Sequence, residues 1–130
     1  MKINLIYFGK ASQSAAREEE TYLKRVRAWC PLEVVELKPS KLNDRQSGLA
    51  QEAKRYRTKF PDEPPLIILD EQGKCQSSVE FASQLSNWMQ MGKPQFNFLV
   101  GSAYGVHPEL KKQAIFKLSL SPMTLTHDHA

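Results

Sequence analysis

Short stretches of this chain carry the residue types that chemistry needs. Gly101-Ser102-Ala103-Tyr104-Gly105 sets glycines at both ends of a loop that follows an apolar run and precedes a helical one. Glycine there permits positive backbone φ and lets a ligand come close to the main chain. The spacing is neither the dinucleotide-binding fingerprint nor a P-loop, which needs Lys and then Ser or Thr after its last glycine. A tight structural turn and a ligand loop both account for it. Asp70-Glu71-Gln72-Gly73-Lys74 also follows an apolar run, and a turn with glycine at its third or fourth position explains it without any function. The last stretch begins with an alternating Leu118-Ser119-Leu120-Ser121, is broken by Pro122, and continues as Met123-Thr124-Leu125-Thr126-His127. It reads as a strand feeding a polar loop.

Other chemistries are poorly served. His107 precedes Pro108 and reads as a residue that opens a helix. His127 and His129 do not share a helix face, and no third ligand lies nearby, so no metal is expected. No GxSxG or Cys–His signature is present for nucleophilic catalysis. Cys30 and Cys75 have no metal-ligand spacing and read as reduced thiols of a cytosolic protein. Lys54-Arg55-Tyr56-Arg57-Thr58-Lys59 mixes cations with an aromatic ring. Surfaces that contact RNA phosphates do this, and so does a solvated helix face.

The elements that must position these stretches alternate. Strands are predicted over Ile3–Phe8, Leu32–Leu37, Leu66–Leu69, Phe96–Val100 and Phe116–Leu120. Helices are predicted from Ser12 to Trp29, from Gly48 to Phe60, from the capping box Ser77-Ser78-Val79-Glu80 to Gly92, and from Pro108 to about Ala114. The first helix carries Tyr22, Val26 and Trp29 at helical spacing, with acids early and bases late, as the helix dipole favours. Pro39 to Ser47 is the one connection expected to be flexible. This alternation predicts an α/β fold with a mostly parallel sheet and helices on both faces, in which ligands sit at the carboxyl ends of the strands. The Asp70–Lys74 stretch, the Gly101–Gly105 stretch and the one that follows the fifth strand all fall there.

At 130 residues the chain fits a single domain, 1–130. Its longest apolar run, Ile3 to Phe8, is too short for a signal peptide or a membrane span, so a soluble, cytoplasmic protein is expected. Net charge is +4, unevenly placed: residues 1–60 hold 13 Lys/Arg against 7 Asp/Glu, residues 61–130 only 5 against 7. A basic half beside a mildly acidic one suits a polyanionic partner on one side.

The stretches LDEQGK, FLVGSAYG and KLSLSPMTLTH, at these separations, resemble the RlmH (YbeA) family, whose patterns run close to LD-x-x-GK, IGG-x-x-G and LSLSKMTLPH. The opening MKINLIYFGK is also similar to the family's start. The resemblance covers the chain weakly from about 11 to 60 and strongly from 66 to 127. It implies a SPOUT-class methyltransferase with a C-terminal trefoil knot, an exception to the unknotted rule. It further implies use of S-adenosyl-L-methionine to methylate N3 of a pseudouridine in helix 69 of 23S rRNA, by a homodimer acting on the ribosome.

Carried over by position, the resemblance assigns cofactor contacts to Leu69, Gly101, Gly105, Leu120, Ser121, Pro122, Met123, Thr124 and Leu125. A base or cation must favour the deprotonated pseudouridine ring; Lys10 is the first choice and His127 the second. Ser102 stands where the family pattern has its second glycine, and Thr126 where it has proline. Family members run on for a further helix that completes the knot, so the chain reads as C-terminally truncated. The alternative is an impaired RNA- or ribosome-binding domain of the same fold.

Overall fold

The protein was analysed as a computed structural model that describes residues 2–9, 13–28, 30–102 and 105–119. Strands and helices alternate as β1 (Lys2–Phe8), α1 (Gln13–Arg27), β2 (Leu32–Leu37), α2 (Arg45–Lys59), β3 (Leu66–Cys75), α3 (Ser78–Met89), β4 (Gln95–Val100), α4 (Pro108–Gln113) and β5 (Phe116–Ser119). The strands form one sheet in the order β2-β1-β4-β3-β5, with every pairing parallel. The sheet is thus wholly rather than mostly parallel among the described residues, and every strand delivers its carboxyl end to the same edge.

Period-two alternation sorts the strand side chains between two cores. Ile6, Phe8, Val35, Leu66, Ile68 and Leu99 pack with Ala53, Tyr56 and Phe60 of α2 and Leu110 of α4. Ile67, Phe96, Phe98 and Leu118 pack on the other face with Trp88, Phe81 and Leu85 of α3. Helices therefore cover both faces, as right-handed crossovers require when the chain moves along the sheet in opposite directions. β4 and the first part of β3 are buried on both sides, which is why they read as continuous apolar runs.

Trp88 organises the α3 core through edge contacts with Phe81, Phe98 and Phe116, ring centroids 5.7–6.5 Å apart across the cluster. The α2 face instead holds a buried polar chain. Asn4 donates to Asn97 at 2.8 Å, and Asn97 donates to the Tyr56 hydroxyl at 2.9 Å. Asn4 and Asn97 are register partners on β1 and β4, so each amide finds its partner across the sheet and burial is satisfied. Burial pushes the Tyr56 phenol above its ordinary value.

Several expectations need revision. α2 begins at Arg45 rather than Gly48, because Asp44 caps it by accepting from the Ser47 amide at 2.9 Å and the Ser47 hydroxyl at 2.8 Å. The segment from Pro39 to Ser47 is therefore not one flexible connection; Ser40 is buried in it. β3 does not stop at Leu69. It bulges over Asp70–Gly73 and resumes, so that Leu69 and Lys74 both register with Leu118 of β5. Tyr22 is 62% exposed and Val26 is exposed too, so the described part of the α1 stripe faces outward. The predicted capping box is present: Glu80 N donates to Ser77 Oγ at 3.1 Å and Ser77 N to Glu80 Oε1 at 3.0 Å. The expected trefoil knot falls on residues 120–130, which lie outside the described residues.

Candidate active site

The carboxyl edge of the sheet gathers the stretches singled out in the sequence. Leu69 pairs in register with Val100 on one side and with Leu118 on the other. The end of β3, the glycine loop after β4 and the last residues of β5 are consequently neighbours. Of the expected cofactor contacts, Leu69, Gly101 and Gly105 are described; Leu120, Ser121, Pro122, Met123, Thr124 and Leu125 lie outside the described residues, as do both expected catalytic residues, Lys10 and His127. Gly9, which precedes Lys10, leaves β1 with φ of 99° and donates its amide to Leu37 O at 2.9 Å.

The glycine loop is folded on itself. Gly105 N donates to Ser102 O at 2.8 Å, and Gly105 holds φ of 89°. A Cβ on Gly101 would lie 2.8 Å from Gly105 O and 2.9 Å from a Val106 methyl. Gly101 is thus required by the loop's own closure, while a Cβ on Gly105 would meet only Arg45 Nη2, at 3.9 Å. The tight-turn reading is borne out, and the turn lies at the edge where α/β sheets bind ligands.

The Asp70–Lys74 stretch is a bulge rather than a turn after the strand. Asp70 Oδ1 accepts from the Gln72 amide at 3.0 Å, and Asp70 Oδ2 lies 3.4 Å from Lys111 Nζ on α4. A Cβ on Gly73 would stand 2.5 Å from the Lys117 carbonyl oxygen, so this glycine is dictated by the approach of β5. His107 opens α4, its Nδ1 accepting from the Glu109 amide at 3.1 Å, as expected.

The mixed cationic run on α2 does not interleave a ring with cations. Tyr56 is 1% exposed and points into the core. Arg55 donates to Lys38 O at 2.7 Å, and Arg57 pairs with Glu109 at 3.2 Å. α2 returns the chain from the carboxyl edge to the amino edge, so Lys59 lies at the end of the helix remote from the glycine loop, whereas Lys38, Lys41 and Arg45 precede or open the helix on the loop's side.

Sequence reasoning passed over Glu52 and Ser40. Glu52 is 2% exposed; its Oε2 accepts from Ser40 N at 3.0 Å and its Oε1 from Ser102 Oγ at 2.6 Å. The available signal was an acid flanked by Leu49, Ala53 and Tyr56 on the apolar face of an otherwise polar helix.

A wholly parallel sheet among the described residues, covered by helices, is consistent with a SPOUT fold, and over residues 1–130 the chain matches the sequence family described as predicted SPOUT methyltransferase. The chain belongs to that family, which implies a methyl-donor cofactor. It is 35% identical to the ribosomal RNA large subunit methyltransferase H of Citrifermentans bemidjiense, over 98% of this chain and 83% of the relative. It is 37% identical to the protein of that name from Syntrophotalea carbinolica, over 100% and 85%, and 32% identical to that of Nitrosomonas eutropha, over 98% and 83%. The described edge fits a methyl-donor cofactor: among the described residues a Cβ on Gly105 would meet nothing nearer than Arg45 Nη2 at 3.9 Å, and the half-buried Leu69 ends the neighbouring stretch of β3.

Proposed function

We propose that this chain is an rRNA methyltransferase that uses S-adenosyl-L-methionine to methylate N3 of a pseudouridine in helix 69 of 23S rRNA, acting as a homodimer on the ribosome in the cytoplasm. The observation that carries this reading is the adjacency of Leu69, the Gly101–Gly105 loop and the end of β5 at one edge, in a chain similar along almost its whole length to enzymes named for that class of activity. In this reading residues 1–130 form one domain, and the residues after β5 thread the family's trefoil knot.

The cofactor supplies an electrophilic methyl group on a sulfonium. Leu69, Gly101 and Gly105, together with Leu120, Ser121, Pro122, Met123, Thr124 and Leu125, would hold it. Apolar walls with main-chain donors and acceptors suit a nucleoside. The transfer is an in-line displacement, so the protein's task is alignment and exclusion of water. N3 of the ring attacks only once its proton has passed to a base or to water; Lys10 would stabilise the negative charge that develops, and His127 is the second candidate for that role.

Ribosomes lacking the modification, incubated with the chain and methyl-labelled cofactor, should take up label in 23S rRNA. Ribosome binding without any transfer of label would overturn the enzymatic reading in favour of a binding domain of the same fold. Sedimentation of the free chain checks the dimer.

A further inference from the structure

We propose that Glu52 is a positioning residue of this site: its buried carboxylate clamps the glycine loop after β4 against α2 and so sets where the loop meets the cofactor. The role rests on the reading of that loop as a cofactor contact. A carboxylate 2% exposed is strongly disfavoured unless its oxygens are hydrogen-bonded, and both are. The Ser102 bond, at 2.6 Å, falls in the short range of about 2.5–2.7 Å for a hydroxyl donating to a charged oxygen.

The loop's internal bonds do not do this work. Gly105 N to Ser102 O and the close approach of Gly101 to Gly105 O fix the turn's shape, but both ends of those contacts lie within the loop. The Ser102 hydroxyl reaches instead to a helix 50 residues away in sequence, and that helix is locked into the core by Leu49, Ala53 and Tyr56. The same carboxylate also takes the Ser40 amide at 3.0 Å, and the Ser40 hydroxyl accepts from Leu42 N at 3.1 Å. The connections leaving β2 and β4 at the carboxyl edge therefore share one anchor. Loss of this anchor would loosen the attachment of the loop to α2, one of the contacts that set its position beside Leu69 and β5.

The test uses the full chain with S-adenosyl-L-methionine binding measured by calorimetry, alongside melting temperatures without cofactor. Ser102→Ala, at a half-buried loop position, should raise the dissociation constant about tenfold and, by leaving Glu52 Oε1 without its donor, also lower the cofactor-free melting temperature modestly, both of them recovered by the hydroxyl-bearing variant. Ser102→Thr keeps the hydroxyl and should restore binding. Glu52→Gln, whose amide can still serve both serines, should bind close to the parent, whereas Glu52→Ala should lose affinity, with Ser102→Ala adding nothing further in the double variant. Unchanged affinity in Ser102→Ala, with the parent binding, would overturn the clamp and leave the cofactor reading standing. Affinity losses that merely follow falling melting temperatures, with no rescue by Thr, would overturn it as well. A parent that binds no cofactor would remove both together.

Discussion

Asp44 and Glu80 show what single carboxylates contribute to this fold. The Ser47 amide and hydroxyl hold Asp44 below its ordinary range, and the Ser77 amide and hydroxyl do the same for Glu80. A carboxyl depressed in the folded state stabilises fully above its unfolded value, and that contribution is lost as pH falls through the folded one. Melting temperature should therefore drop as pH falls below about 4. Asp44→Asn, which caps without titrating, should lose the part of that drop owed to Asp44, while Asp44→Ala should melt lower than the parent at pH 7 and converge on it in acid. A melting series from pH 7 to pH 2.5 measures this. Tyr56 tests a neutral partner. Tyr56→Phe leaves Asn97 Nδ2 without its acceptor in the core, so a loss of about 1–3 kcal/mol is expected in urea unfolding.

Elements rather than residues decide which expectations from sequence hold. β4 and the first part of β3 were legible because burial on both faces leaves uninterrupted apolar runs, and α3 because Ser77 and Glu80 form a complete capping box. The start of α2 was missed because its cap, Asp44, is followed by Arg45 and Gln46, with no apolar period to mark a helix until Leu49. The bulge in β3 was missed because Asp70-Glu71-Gln72-Gly73 has turn chemistry, and only the approach of β5 shows that the strand resumes. Of the candidate site, the spacing of Gly101 and Gly105 marked a turn without deciding its role; the burial of Glu52 left a faint local signal, but its bonds to Ser102 and Ser40 left none, since no local pattern joins them. The bulge makes its own prediction. Gly73→Ala would push a Cβ against the Lys117 carbonyl, at 2.5 Å, where backbone cannot yield cheaply, so a loss of about 1–3 kcal/mol is expected. Trp88→Ala, which empties the centre of the α3 core, should cost about 3–5 kcal/mol. Chemical denaturation measures both, and a Gly73→Ala loss near zero would mean that β5 accommodates the added Cβ by sliding.

Across the whole molecule the excess of positive charge belongs to residues 1–60, which build β1, α1, β2 and α2. β1 and β2 form one end of the sheet, and α2 crosses its face over β4 and β3 while spanning from the carboxyl edge to the amino edge. A polyanion that reaches the proposed site must approach the carboxyl edge, where Lys38 and Lys41 are exposed beside the start of α2. Lys54 and Lys59, equally exposed, lie further along the helix towards the opposite edge. Affinity for RNA carried by phosphate contacts falls steeply with salt, and each cation removed from the contact lessens the slope by about one. Lys38→Ala with Lys41→Ala should therefore weaken ribosome binding several-fold at low salt and flatten its salt dependence, whereas Lys54→Ala with Lys59→Ala should change either one little. Binding measured between 50 and 200 mM monovalent salt separates them. A larger effect from the Lys54 and Lys59 pair would put the RNA on the outer side of α2, away from the glycine loop, and would count against the carboxyl edge as the place where the methyl group is transferred.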